Sequence, residues 1–352
     1  MMRTMDAGHE HDGAILDAID RFLRVEVRPH VKRLEQADEY PTAIVEGMKA
    51  MGLFGCIIPV EYGGLGLSTA TYAAVVARIA SVWMSLSGII NSHLIMAAAV
   101  LRSGTEEQKR ELLPRFASGE LRGGIGLTEP DAGTDLQAIR TRAVRDGDHY
   151  VLDGHKWFTS SADGAAFAVV MAVTDPDAAP HKRATMLIVP TDTPGFVRVR
   201  NIPIMGEANE GFASHAEVRF TGCRVPVYSC LGEPGAGFLI AQERLGPGRI
   251  HHCMRWLGIC ERAFTLMCER ALARQIDDGE TLADKQFVQG FIAESRAEID
   301  AARLLVLRTA WRIDQGGLAA TPQAARETRG GGRLQPALPD GGGRAEPPLM
   351  MY

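Results

Sequence analysis

Residues 125–134, IGLTEPDAGT, and residues 153–162, DGHKWFTSSA, decide how this chain reads. In the first, one proline, two glycines and several small polar residues predict an irregular turn. Such a turn offers backbone N–H groups to a ligand, and the hydroxyls of Thr128 and Thr134 donate or accept beside them. In the second, Lys156-Trp157-Phe158-Thr159 reads as extended chain. A large aromatic at 157 packs against a planar group, and a hydroxyl two residues on reaches the same side. Each segment alone also fits a blander reading: a capped loop, and a strand with a core tryptophan. The two together are far more specific than either.

Outward from these segments, the period of the apolar residues changes twice. Before residue 121 it is helical. Ile15, Leu16, Ile19, Phe22, Leu23 and Val27 form a stripe that stops at Pro29. A short helix is expected from Pro41 to Met51, and a long one from about Ala70 with Ser68 or Thr69 as cap. Another is expected over 105–116, with Thr105 as cap and acidic residues in its first turn. From Leu121 to Pro226 the period is two. A hairpin is expected over 141–152 with a type I′ turn at Asp146-Gly147. Further strands are expected at Phe167–Val173, Thr185–Val189, Phe196–Arg200 and Ala216–Phe220. After Gly235 the helical period returns, with one helix from Arg249 to about Ile276 and a second from Thr281 to about Asp314. Two such helices cannot bury their stripes alone and need partners from elsewhere in the chain or from another subunit. The fold class is therefore α+β: an N-terminal helical domain (1–120), a central β-barrel-like domain (121–232) and a C-terminal helical bundle (233–320). The tail, 321–352, is rich in Gly, Pro and Arg and reads as disordered, so the bundle reads as incomplete.

Composition narrows the function classes. The 352 residues carry a net charge of −5, which gives no global basic footprint for nucleic acid. Six cysteines occur without a CxxC pair, and the N-terminus lacks an apolar targeting core, so a cytoplasmic location is expected. The uncharged run Ser81–Leu101 approaches membrane-spanning length, but Ser85, Ser87, Asn91, Ser92 and His93 punctuate it. A buried core helix is expected there, with no membrane span. His93 reads as a satisfied core histidine or a residue facing a substrate cavity. His251-His252-Cys253 does not read as a metal site, because adjacent helical residues diverge. Tyr62-Gly-Gly-Leu-Gly lacks the ending of a phosphate loop.

A flavin ring carries carbonyl oxygens and ring nitrogens along one edge, and the donors of 127–134 and 157–159 suit that edge. Together with the domain order and LGPGRIHHCMR at 245–255, these motifs resemble the acyl-CoA dehydrogenases over about residues 10–320. The branch resembled is that of the kinase-fused members. The resemblance implies FAD as cofactor, an acyl-CoA substrate and electron-transferring flavoprotein as partner, in a homodimer or homotetramer. It implies that Leu127, Thr128, Thr134, Trp157, Phe158 and Thr159 hold the cofactor, Thr134 touching FAD or substrate. It implies that Gly246, Gly248 and Arg249 contact the acyl-CoA. Arg274 and Gln286 are implied to reach a neighbour's FAD.

The reaction implied is α,β-dehydrogenation to the 2-enoyl-CoA, with a carboxylate as base. In most of the family that base follows two further helices, in an acidic-glycine motif that is absent here; Asp340 and Glu346 sit in the Gly/Pro tail and do not match it. Some members place the base just before the arginine of the first C-terminal helix, and Gly248 stands there. Glu243 lies five residues earlier and reads as a surface or hinge carboxylate. The catalytic base is thus left unassigned and impaired turnover is expected. Two other readings stay open: a non-catalytic flavin- or CoA-binding subunit of an intact homologue, and a flavin oxidase.

Overall fold

The computed structural model describes residues 6–316, apart from 205, 207–209 and 244. Expectations placed on the tail after Thr321, with Asp340 and Glu346, lie outside the described residues. Six helices come first: α1 (Asp6–Phe22), continued by a π-helical turn over Leu23–Val27, α2 (Val31–Gln36), α3 (Thr42–Ala50), α4 (Thr69–Val82), α5 (Met84–Ser103) and α6 (Glu106–Ala117). Their starts follow the capping residues. Ser68 Oγ accepts from Thr71 N at 3.0 Å. Thr105 and Gln108 cap α6 reciprocally, at 3.1 and 3.0 Å.

The uncharged run from Ser81 does not form one continuous helix. Trp83 is extended, at φ −152° and ψ 108°, and separates α4 from α5. The break turns the chain, so that α4 and α5 bury different faces and the Trp83 indole is itself enclosed. α5 is long and apolar enough to cross a membrane, but 56% of its apolar window is buried inside the protein. Leu86, Ile90 and Leu94 join one core, Met96, Ala97 and Val100 another.

Eight strands follow: β1 (Gly123–Gly126), β2 (Arg142–Asp146), β3 (His149–Ser160), β4 (Phe167–Val173), β5 (Ala184–Pro190), β6 (Phe196–Asn201), β7 (His215–Pro226) and β8 (Cys230–Leu231). Their order is β6-β7-β3-β1-β4-β5-β8, and β2 pairs with both β3 and β4. β3, β1, β4 and β2 therefore close a ring, which is the barrel-like part of the sheet. β1 runs parallel to β4. β1 and β8 carry no period-two signal, because one is mostly glycine and the other has two residues. The hairpin turn differs from the expectation. Asp146 pairs with His149, so the turn residues are Gly147 and Asp148. Among the described residues, φ is positive at Gly147 (59°) and not at Asp148, the signature of a type II′ turn.

Helices follow the sheet: α7 (Gly237–Glu243), α8 (Leu245–Ala273) and α9 (Gln286–Gly316). Between α8 and α9 lies a small hairpin of β9 (Gln275–Asp277) and β10 (Glu280–Thr281). Ile276 is thus in a strand rather than in the preceding helix, and α9 starts later than Thr281. Gly279, at φ 74°, closes the hairpin, and Asp284 accepts from Thr281 N and Oγ1. The partners that α8 needs are α4 and α9, which also pack on each other. Ile19, Val76 and Ile79 share one core with Met254, Leu257 and Val306. Asp314 near the end of α9 accepts from Thr69 N (2.8 Å) and Ala70 N (3.2 Å), tying the end of α9 to the start of α4.

Candidate functional site

The loop 127–134 leaves β1 at Gly126 and lies along β3. β1 is glycine-rich because its neighbours press on it. A Cβ on Gly124 would lie 2.7 Å from Ser160 O. One on Gly123 would overlap the Phe167 ring. The loop is then fastened to β3 by two successive carbonyls. Leu127 O accepts from Lys156 Nζ at 2.9 Å, and Thr128 O accepts from Trp157 N at 2.8 Å. Glu129 and Ala132 exchange backbone hydrogen bonds at 2.8 and 3.2 Å, which folds 129–132 into a tight turn. The two segments that opened the sequence reading are thus neighbours in space.

β3 is bulged where it meets the loop. Lys156 pairs with Val218 and Thr159 with Ala216, so β3 carries one residue more than β7 over that interval. Phe158 absorbs it at φ 53°, an unfavourable conformation for a bulky residue. The bulge lets Trp157 stay half-exposed while Lys156 and Thr159 are both enclosed. Trp157 stacks edge-on to His155, with Arg200 5.3 Å from its ring centroid. Beside it opens a cavity of about 530 Å³, lined by Pro130, Ala132, Arg140, Trp157, Arg200 and Arg219 among others.

On the loop and β3, the hydroxyl of Thr159 and the backbone N–H groups of Thr128 and Thr134 have no acceptor among the described residues; none of these residues lines the cavity, whereas Thr141, whose buried hydroxyl is also partnerless, does. Thr159 is 1% exposed. A buried hydroxyl without a partner is uncommon and costs stability unless a ligand satisfies it. Leu127 is buried behind the loop, whereas Thr134 is exposed on it.

The candidate residues of the C-terminal helices fall into two places. Gly246, Gly248 and Arg249 form the first turn of α8. Two residues on, His251 is fully buried and Tyr72 Oη lies 2.7 Å from its Nδ1. Burial lowers His251 well below its ordinary value, with the neighbouring His252 and Arg255 charges adding to this, so it is neutral at pH 7. Arg274 and Gln286 lie at the far end of α8, both exposed. The helix separates them from Arg249 by roughly 36 Å at ~1.5 Å per residue. One copy of the chain does not bring these two groups to a single small ligand.

The reading of His93 is settled by its contacts. His93 Nε2 donates to Phe116 O at 2.8 Å, and its ring packs between Phe54 and Phe116, the core reading. Glu243 ends α7, its carbonyl accepting from Arg102 at 2.9 Å. The residues that sequence reasoning passed over are Glu129 as a buried carboxylate and Lys156 as a buried ammonium. The one available signal was a lysine at an inward position of a strand between two aromatic residues.

Comparison with known proteins agrees with this arrangement. Residues 9–120 match the N-terminal domain of the acyl-CoA dehydrogenases, residues 124–223 the middle domain and residues 235–326 the C-terminal domain. The chain belongs to the acyl-CoA dehydrogenase family. It is 46% identical over 217 residues to the probable acyl-CoA dehydrogenase FadE2 of Mycobacterium tuberculosis, covering 61% of this chain and 53% of that one. It is 36% identical over 323 residues to acyl-CoA dehydrogenase family member 10 of Mus musculus, covering 86% of this chain and 30% of the mouse protein. It thus spans about half or less of the length of these relatives. The butyryl-CoA dehydrogenase structure from Megasphaera elsdenii superimposes with a TM-score of 0.82 at 27% identity, covering 92% of this chain and 85% of that one. For this acyl-CoA dehydrogenase family member, the fit of FAD is a matter of its own residues. The partnerless Thr159 hydroxyl and Thr128 N–H, beside the half-exposed Trp157, suit the polar edge and flat face of a flavin.

Proposed function

We propose that this chain binds FAD and dehydrogenates an acyl-CoA thioester to its 2-enoyl-CoA, with turnover limited because no carboxylate among the described residues is well placed as the base. The observation that carries the reading is the enclosed, partnerless hydroxyl of Thr159 beside Trp157 and the free N–H of Thr128, in a chain with all three domains of the family. When bound, FAD supplies the acceptor for the β-hydride. The chain supplies the rest. Thr128 and Thr159 hold the ring's edge, Leu127, Trp157 and Phe158 pack around it, and Thr134 reaches the cofactor or the thioester. Gly246, Gly248 and Arg249 receive the acyl-CoA at the start of α8.

Arg274 and Gln286 serve the FAD of a second copy in a homodimer or homotetramer. Their distance from Arg249 supports this. So does the apolar surface of α8 and α9, where Trp256 (53%), Leu272 (68%), Phe287 (84%) and Leu304 (68%) are exposed. Electron-transferring flavoprotein is the proposed acceptor of the electrons. The six unpaired cysteines support a reducing, cytoplasmic setting.

The limit on turnover rests on Gly248, where some relatives place the base, and on Glu243, whose neighbour is Arg102. The same observation supports a second reading, a flavin- and CoA-binding subunit that works beside an intact homologue. Acyl-CoA-dependent dye reduction by the FAD-loaded protein tests both. Slow turnover supports the first, FAD and CoA binding with none supports the second, and failure to bind FAD overturns both.

A further inference from the structure

Lys156 and Glu129 are enclosed together, at 0% and 7% exposure. Lys156 Nζ has two acceptors, Glu129 Oε1 at 2.8 Å and Leu127 O at 2.9 Å. The Glu129 carboxylate also accepts from Arg140 N at 2.7 Å and Thr141 N at 2.9 Å. Burial pulls Lys156 down to about 8, with Glu129 opposing the fall, so it remains charged at pH 7. Burial pushes Glu129 up, but the Lys156 charge and the hydrogen bonds outweigh it and hold the carboxyl below its ordinary value.

Stability alone does not account for such a pair. A buried ion pair is commonly neutral or costly relative to apolar residues of the same volume. Its placement suggests another use. The carbonyl of Leu127 and the N–H of Thr128 belong to one peptide group. An ammonium hydrogen-bonded to that carbonyl polarises the peptide and strengthens its N–H as a donor. That N–H has no acceptor among the described residues. Meanwhile Glu129 ties the loop to the chain at 140–141, so the segment 127–129 is held from both sides.

We propose that the Lys156–Glu129 pair is a positioning device for the flavin: it fixes the 127–129 loop and, through the Leu127–Thr128 peptide, charges the N–H that meets the ring. This rests on the FAD reading above. Because the flavin edge gains electron density on reduction, the device favours reduced over oxidised FAD.

The test replaces the pair by apolar residues, Lys156→Met with Glu129→Leu, and titrates oxidised and reduced FAD into wild-type and variant protein. Amide hydrogen exchange over 127–135 is followed in both apo proteins. The proposal expects an apo melting temperature close to wild type and at least tenfold faster exchange in the loop. It expects at least tenfold weaker binding of oxidised FAD and a further tenfold loss for reduced FAD. That extra factor lowers the two-electron potential by about 30 mV. Unchanged exchange, or equal losses for the two redox states, overturns it. If the double variant does not fold, Lys156→Gln with Glu129→Gln keeps polar side chains at both positions and removes both charges, and the same differential loss is required. Wild-type protein that takes up no FAD overturns the function proposed above; wild-type uptake with an unaffected variant overturns only the role of the pair.

Discussion

Replacing Gly248 by glutamate separates chemistry from folding at the start of α8. Gly248 is the fourth residue of that helix, and beyond the adjoining backbone of its own helix no described atom lies within 4 Å of where its Cβ would stand. Removing a glycine from a helix gains about 0.5–1 kcal/mol. The first turn of α8 contains no acidic residue, so a carboxylate there gains about 0.3–1 kcal/mol from the helix dipole. The sum, about 1–2 kcal/mol, raises the melting temperature by roughly 2–4 °C. Gly248→Gln receives the first gain and not the second. On the chemical side, a positioned general base contributes about 10²–10⁴-fold. Steady-state dye reduction by acyl-CoA with FAD-loaded protein should therefore rise at least about a hundredfold in Gly248→Glu, in kcat rather than KM, and stay at the wild-type rate in Gly248→Gln. The reasoning is refuted if the glutamate variant folds, binds FAD and acyl-CoA, and is no faster than the glutamine variant. It is refuted equally if the wild-type chain already turns over at a rate neither variant improves.

Other consequences are open to single measurements. Thr159→Val removes the partnerless hydroxyl at nearly constant volume; apo stability should be unchanged or higher while FAD affinity falls about tenfold, the ~1–1.5 kcal/mol of one hydrogen bond. Asp314→Ala frees the N–H groups of Thr69 and Ala70 and should cost about 1 kcal/mol in urea unfolding at unchanged m-value. His93 has its pKa lowered to about 4, chiefly by burial, against an ordinary 6.5. The unfolded chain therefore takes up this proton first, and stability is lost as pH falls from about 7 towards 4. Between pH 7 and 5 the loss is about 2 kcal/mol, and His93→Gln should remove that share of the pH dependence of the urea midpoint.

Much of the fold was legible where one local signal dominated. Ser68 and Thr105 announced their helices, and β4 appears at the bounds its unbroken apolar run predicted. The segments around Thr128 and Trp157 were legible as a pair, and they lie hydrogen-bonded side by side. What was not legible depends on contacts distant in sequence. No local pattern announces that Trp83 adopts an extended conformation within an apolar run, because only the faces of α4 and α5 require it. The turn at Gly147-Asp148 shifted by one residue because cross-strand register, not turn composition, fixed the pairing of Asp146 with His149. β1 was missed because close packing against β3 and β4 demands glycine, which carries no strand signal. The Lys156–Glu129 pair was missed for a related reason. Both residues look solvent-exposed by type, and only the register that pairs Lys156 with the buried Val218 of β7 turns the lysine into the protein.

The most direct test of the account is titration of the purified chain with FAD, followed by flavin absorbance and by the fluorescence of Trp157. The account predicts one FAD bound per chain, a perturbed flavin spectrum and a quenched tryptophan signal, with the quenching lost in Trp157→Phe. Protein that is folded by circular dichroism yet leaves FAD free in solution, with Trp157 unaltered at saturating cofactor, contradicts it.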